Sequence, residues 1–195
     1  MIVLHLLRHA QQDWDRETPD VDWPLTPTGR KQAADLVDEL AKLRPDSLWC
    51  SETQRAFQTI QPYAECSGLT VRRLRDLGER RLTWPLPAMD EMQEHYRRGW
   101  KDLDYTLVNG ESNREGQARF MEALHKIVEQ ESVEEQNRCV VVCAHGNVIA
   151  LAEHAATGTF GDTSLDFCEF RTLTLGPNGW QLLATKATEG SKGSE

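Results

Sequence analysis

The chain has no apolar run approaching the roughly 18 residues that a membrane-spanning helix requires. Its opening apolar stretch, residues 1–7, is short and lacks the basic start and small-residue cleavage site of a secretory leader. Basic residues are in deficit, with 22 Lys and Arg against 31 Asp and Glu, for a net charge of −9. That deficit argues against nucleic acid or an anionic membrane as partner, because both demand a basic face that displaces counterions. An anionic substrate must then be held by a local cluster of positive charge. Cysteines are few and odd in number: Cys50, Cys66, Cys139, Cys143 and Cys168. Embedded mostly in apolar segments, they read as reduced core thiols, not as a disulfide framework. Cys139 and Cys143 have no second pair at metal-ligand spacing, so no metal site is expected. These absences predict a cytoplasmic protein.

What is present suffices for one compact core. With 195 residues, 39% of them hydrophobic, the chain is expected to form a single domain over residues 1–187. A small, polar tail at 188–195 is expected to be disordered. Residues 2–7, Ile-Val-Leu-His-Leu-Leu, make the near-continuous apolar run of a strand buried on both faces. Thr26 caps and Pro27 opens a helix whose apolar positions Ala33, Leu36, Val37, Leu40 and Leu43 recur at helical spacing. The pattern repeats with a short strand at 47–50 and a capping-box signature from Ser51 to Gln54, which puts Arg55 in the first turn of a second helix. Residues 70–74 are a weaker strand. Residues 76–111 show no clean period, and the stretch 80–110 reads as an excursion over the sheet edge, a candidate lid.

Periodicity resumes at Phe120, Leu124, Ile127 and Val128, a helix ending in the acidic run 129–135. A second buried strand follows at 139–144, then a helix at 148–156, and finally two strands at 167–175 and 180–185 around a turn at 176–179. Strands alternating with helices predict a three-layer α/β/α sandwich around a mostly parallel sheet. Its ligand should lie beyond the carboxyl ends of the strands.

Two buried strands, far apart in sequence, both end in histidine: Arg8 and His9 follow the first, His145 the other. A third strand ends at Ser51, with Arg55 one turn behind it. Parallel strands would bring these ends to one edge, where two histidines and two arginines converge. Such a set suits a phosphoryl group, since guanidinium forks match phosphate oxygens and an imidazole is a competent nucleophile.

These residues stand in a pattern that resembles the histidine phosphatase superfamily, with its phosphoglycerate mutase-like fold. Leu7, Arg8, His9 and Ala10 resemble its Arg-His-Gly signature. Asp22, Pro24, Leu25 and Thr26, with Gly29, Gln32 and Ala33, look like its Asp-x-Pro-Leu-Thr stretch. Ser51, Arg55, Ala56, Gln58 and Thr59 look like its Ser-x-x-x-Arg-Ala-x-Gln-Thr helix. Leu77 and Glu79 resemble its Leu-x-Glu segment, Gly110, Glu111 and Ser112 its Gly-Glu-Ser turn, and His145 with Gly146 and Asn147 its second histidine motif.

The resemblance implies a phosphomonoester hydrolase working through a phosphohistidine on His9. Arg8, Arg55 and His145 would bind the phosphate, and Glu79 would be the proton donor, with Glu111 and Glu91 as rivals. It implies no metal and no organic cofactor. The expected substrate is a small phosphorylated metabolite, with a phosphoprotein as the other class. Gln12, Asp15, Arg80, Arg81 and Asn147 are candidate contacts to the rest of the substrate. Three positions depart from the family's pattern: Ala10 replaces glycine, Gln12 replaces Thr or Ser, and Asp15 replaces Asn. A charged Asp15 would repel phosphate, so it is either turned away or bound to a neutral or cationic part of the substrate.

Two other readings compete. Mutase-type transfer needs an enclosing insertion with a Glu-Arg-His-Tyr-Gly sequence, which residues 80–109 lack. A non-catalytic phospho-ligand or protein-binding module would have lost the nucleophile or a clamp arginine, and both are present here. Arg80, Arg81, Arg97, Arg98 and Lys101 either make the cleft mouth basic or are surface charges. Trp84, Tyr96 and Trp100 either line a pocket or form a small core of the excursion.

Overall fold

The computed structural model describes residues 1–15, 18–82, 88–106, 109–132, 137–159 and 165–186. Among these residues six strands form one sheet. In chain order the elements are β1 (Ile2–Arg8), α1 (Pro27–Leu43), β2 (Ser47–Cys50), α2 (Gln54–Ser67), β3 (Val71–Arg73), α3 (Met89–Lys101), α4 (Asn113–Glu131), β4 (Arg138–Ala144), α5 (Gly146–Thr157), β5 (Phe170–Gly176) and β6 (Gly179–Lys186). The strands lie in the order β3-β2-β4-β1-β5-β6. From β3 to β1 all pairs are parallel, and β5 and β6 add an antiparallel hairpin to the edge of β1. Gly179, at φ 102°, supplies the left-handed residue that this hairpin turn needs.

The layers follow from alternation along the strands. Leu4 and Leu6 of β1, Val140 and Val142 of β4 and Trp49 of β2 point to one face and pack with Phe120, Leu124 and Ile127 of α4 and Val148 and Ile149 of α5. Leu7, Val141, Cys143, Leu48 and Cys50 point to the other, against Ala33, Leu36 and Leu40 of α1 and Ala56 and Ile60 of α2. The two cores are the sandwich that the alternation of elements predicts. Truncating any one of these fully buried leucines to alanine would cost about 2–5 kcal/mol. The five cysteines are free, and three of them, Cys50, Cys143 and Cys168, are core residues, whereas Cys66 is exposed and Cys139 half-buried. Among the described residues no helix is long and apolar enough to cross a membrane.

Helix boundaries are set by side-chain caps. Thr26 accepts the Gly29 amide at 2.9 Å, with Pro27 in the first position, and Ser112 and Glu115 form a reciprocal capping box on α4. Each such cap contributes about 1 kcal/mol. At α2 the expectation needs correcting: the cap is Thr53, whose hydroxyl accepts the Ala56 amide, and Ser51 lies outside the helix. Ser51 is used elsewhere, as described below.

The excursion is also more ordered than its sequence suggests, since it contains α3. The face that α3 buries carries Met92, His95, Tyr96 and Gly99, which are correctly spaced for a helix but mostly not aliphatic. A hydrophobic-periodicity reading passes over such a helix. Trp84, residues 133–136 of the acidic run and the 188–195 tail lie outside the described residues.

Candidate active site

Parallel pairing of β1 with β4 aligns Arg8 with Ala144, so the residues that follow, His9 and His145, leave the sheet side by side. The His9 amide donates to the Ala144 carbonyl at 3.0 Å, the Ser51 amide donates to Cys143 at 3.2 Å, and the two imidazole centroids are 5.0 Å apart. Arg55, in the first turn of α2, reaches both rings. His9, His145 and Arg55 are 4%, 0% and 3% exposed. An arginine in a first helical turn is ordinarily solvated; this one is the floor of a cleft.

Hydrogen bonds fix both tautomers. His9 Nδ1 lies 2.8 Å from the Ala10 carbonyl, which only accepts, so Nδ1 carries the proton and Nε2 keeps its lone pair. Arg55 Nε donates to that Nε2 at 3.3 Å. At His145 the arginine sits on the other nitrogen: Arg55 Nη2 donates to Nδ1 at 3.2 Å, leaving Nε2–H for Ser51 Oγ at 2.9 Å. Ser51 Oγ in turn lies 2.9 Å from the capping hydroxyl of Thr53. Burial, then the nearby guanidinium of Arg55, push both imidazoles well below the ordinary histidine pKa. Both rings are neutral at pH 7.

The motif around them holds the loop after β1. Thr59 Oγ1 accepts the Ala10 amide at 2.9 Å, Gln32 Oε1 the Gln11 amide at 2.9 Å, and Gln58 Oε1 the Leu25 amide at 2.8 Å. Gly29 has to be glycine, because a Cβ there would stand 2.1 Å from the Gln11 carbonyl oxygen. Asp20, which no sequence signal singled out, occupies the far edge of Arg55: its carbonyl accepts from Nη1 and its carboxylate lies 3.3 Å from Nη2. Arg8 Nη1 donates to the Leu165 carbonyl, and the Arg8 guanidinium lies 4.2 Å from the Phe167 ring centre.

Of the three carboxylates weighed from sequence, Glu79 alone lines the cleft. Its Oε2 accepts from the Asn147 amide at 3.1 Å and from Asn147 Nδ2 at 3.2 Å, and its Oε1 accepts from the Arg80 amide at 2.8 Å. The carboxylate thus sits on the first turn of α5, held by a residue two positions beyond His145. Glu111 is paired with Arg119 at 2.8 Å. Burial raises the Glu111 pKa, but the Arg119 hydrogen bonds and the Arg81 amide outweigh it, so the net shift is downward. Glu91 is exposed on α3.

The cleft encloses about 700 Å³. Gln12, Arg80 and Asn147 line it; Asp15 and Arg81 do not. Asp15 is exposed and accepts from Thr18 Oγ1 at 2.6 Å, which is the turned-away alternative. Arg81 faces Asp76, and Arg97 and Arg98 pair with Glu94 on the surface. Tyr96 lines the cleft beside Trp14, Trp23, Leu82 and Met92, whereas Trp100 packs on the main core. Arg80 is 2% exposed, and among the described residues its three guanidinium nitrogens have no hydrogen-bond partner.

Residues 4–188 match the family model of the histidine phosphatase superfamily (branch 1). The chain belongs to this superfamily. It is 32% identical over 161 residues to a glucosyl-3-phosphoglycerate phosphatase of Mycobacterium tuberculosis, covering 75% of this chain and 71% of that one. It is 30% identical over 157 residues to a probable phosphatase of Schizosaccharomyces pombe, covering 74% and 68%. A solved complex of a mycobacterial glucosyl-3-phosphoglycerate phosphatase with inorganic phosphate superimposes with a TM-score of 0.78 at 27% identity, over 95% of this chain and 97% of that one. This histidine phosphatase is an enzyme that hydrolyses phosphate esters, and its sheet and helices have the phosphoglycerate mutase-like arrangement.

Proposed function

We propose that this histidine phosphatase hydrolyses the monoester of a small phosphorylated metabolite in the cytoplasm through a phosphohistidine on His9. The observation that carries the reading is the tautomer of His9. With Nδ1–H held by the Ala10 carbonyl and the ring kept neutral by burial, the nucleophilic lone pair stays on Nε2, in a cleft lined by Arg8 and Arg55; it is freed for attack when Arg55 Nε, which donates to it at 3.3 Å, turns to the phosphate. Five free thiols, three of them buried, suit a reducing compartment.

Nε2 attacks phosphorus in line, the N–P bond forms as the ester P–O bond breaks, and Glu79 as a carboxylic acid gives its proton to the departing oxygen. A water then loses a proton to the Glu79 carboxylate and attacks phosphorus, the N–P bond breaks, and His9 returns as a neutral ring. Arg8, Arg55 and His145 hold the non-reacting oxygens and offset their charge. Phosphate oxygens take the place of Asp20 on the far edge of Arg55. A dianion beside His145 favours its protonated form; as Arg55 Nη2 turns from Nδ1 to the phosphate, a proton taken up on Nδ1 donates to phosphate too. These steps need no metal and no organic cofactor.

The cleft is large for a phosphoryl group alone and lies within the range that holds small organic ligands. Trp14, Trp23, Leu82, Met92 and Tyr96 offer a flat apolar wall for a sugar or ring, and Arg80 offers a partner to a second acidic group of the substrate. Gln12 and Asn147 supply polar contacts between the two. A sugar joined to a phosphorylated acid, the chemistry named in the mycobacterial relatives, fits such a wall.

The test is turnover of nitrophenyl phosphate and a panel of phosphorylated sugars and acids in the presence of chelator. Wild type is expected to turn over and His9→Ala to be inactive. No turnover of any monoester, or near-normal turnover by His9→Ala, overturns the reading.

A further inference from the structure

We propose that Arg119 and Glu111 are positioning residues that set the height and direction of the Glu79 carboxyl, although neither lines the cleft. The inference rests on Glu79 as the proton donor and adds what holds it in place. Glu79 lies in a short segment between β3 and the excursion, where the only regular structure is a single 3-10 turn, Arg75–Leu77. Such a segment has no sheet or helix ladder of its own to fix where its side chains point.

Instead, its carbonyl groups converge on one guanidinium. Arg119 Nη1 donates to the Asp76 carbonyl at 2.6 Å and to the Gly78 carbonyl at 3.1 Å, and Nη2 donates to the carbonyl of Glu79 itself at 3.2 Å. The other edge of the fork is bidentate to Glu111, with Nε to Oε1 and Nη2 to Oε2 both at 2.8 Å. Glu111 closes the loop on the far side: its Oε2 accepts the Arg81 amide at 3.0 Å, and its own amide donates to the Arg81 carbonyl at 2.8 Å. Backbone groups on both sides of Glu79 are therefore tied to one ion pair whose side chains are each 11% exposed.

A lysine cannot reproduce this. Its ammonium is a point donor, whereas five bonds here fan out in one plane from a rigid fork. The pair is anchored in the rest of the protein, because Arg119 is on α4, whose first turn is fixed by the Ser112 and Glu115 capping box. The carboxyl end of Glu79 is held independently by Asn147 on α5. Brace and side-chain contact together leave Glu79 one position relative to His9. A displacement of about 1 Å would cost on the order of 100-fold in a step that needs aligned proton transfer.

The test is the dependence of kcat on the leaving group, from nitrophenyl phosphate to alkyl phosphates. Arg119→Lys and Glu111→Gln keep the chain close to native in size and are compared with Glu79→Gln, each checked by its melting temperature. The expected result is a loss of about 100-fold for alkyl phosphates and only a few-fold for nitrophenyl phosphate, with no further steepening when Arg119→Lys is added to Glu79→Gln. Equal losses for all leaving groups in Arg119→Lys and Glu111→Gln, beside a steep dependence in Glu79→Gln, would mean that the pair is structural only. A flat dependence in Glu79→Gln itself would remove the donor assignment, and the brace with it.

Discussion

The two walls of the cleft are built on opposite terms. The inner wall, made by the ends of β1, β2 and β4 and the start of α2, carries His9, His145 and Arg55 in a network where each ring nitrogen has a partner and Ser51, Thr53 and Thr59 stand behind them, while Arg8 at the end of β1 leaves one buried nitrogen, Nε, without a hydrogen-bond partner among the described residues. The outer wall, made by α3 and residues 80–82, carries Arg80, whose three guanidinium nitrogens are buried with no hydrogen-bond partner among the described residues; His95, whose Nδ1 is likewise unsatisfied, is buried on α3 but does not line the cleft. Satisfied polar groups such as the two histidines favour a fixed geometry for chemistry. Unsatisfied ones cost folding energy, which, under the function proposed above, an acidic group of the substrate offsets at Arg80. Under the proposed function, reaction type belongs to the sheet and substrate choice to the excursion.

That contrast can be broken at Arg80. Arg80→Met removes a buried cation that has no hydrogen-bond partner among the described residues, at the loss of its contact with the Tyr96 ring 5.1 Å away, and replaces it by an apolar chain of similar length, so stability should rise by about 1–2 kcal/mol. Turnover of nitrophenyl phosphate should hardly change, whereas KM for monoesters bearing a second acidic group should rise about tenfold, the effect of one charged hydrogen bond. Thermal melts and KM values across the two substrate types check this. A melting temperature that falls, or an equal KM change for both types, would make Arg80 part of the inner network after all.

A smaller effect concerns pH. Burial lowers the pKa of His5, His9, His145 and His95, the last to about 4. Below the unfolded value of 6.5 the unfolded chain binds more protons than the folded one, so stability rises with pH and is lost as pH falls. For His95 the loss runs from about pH 6.5 down to about 4. Each such ring contributes a slope of at most about 1.4 kcal/mol per pH unit. Denaturant melts between pH 7.5 and 5 should show declining stability, and His95→Gln should flatten the slope by a fraction of one proton. A wild-type slope near zero would mean that the inner histidines are charged in the folded protein.

The same division explains what could be read from sequence. The inner wall was legible because buried strands announce themselves as apolar runs and His9 and His145 stand where those runs stop. Arg55 followed from its place after β2. Ser51 was misread because a capping signature and a histidine partner look alike until β2 and β4 are known to be neighbours. The outer wall was not legible: α3 buries Met92, His95, Tyr96 and Gly99, a face with helical spacing but little aliphatic content. Asp20 gave no signal, since its contact with Arg55 depends on how the loop after β1 folds back. Arg119, forty residues from Glu79, became visible only when three carbonyls were seen to meet on it.

The division of labour rests on His9 as the nucleophile, and trapping the covalent intermediate tests that most directly. Enzyme mixed with a phosphate-labelled monoester and quenched in alkaline denaturant should carry label on the peptide containing His9. That label should be stable in base, lost in acid and absent from His9→Ala. Phosphate released in the first turnover with no label on the protein, or with label on another residue, would contradict it.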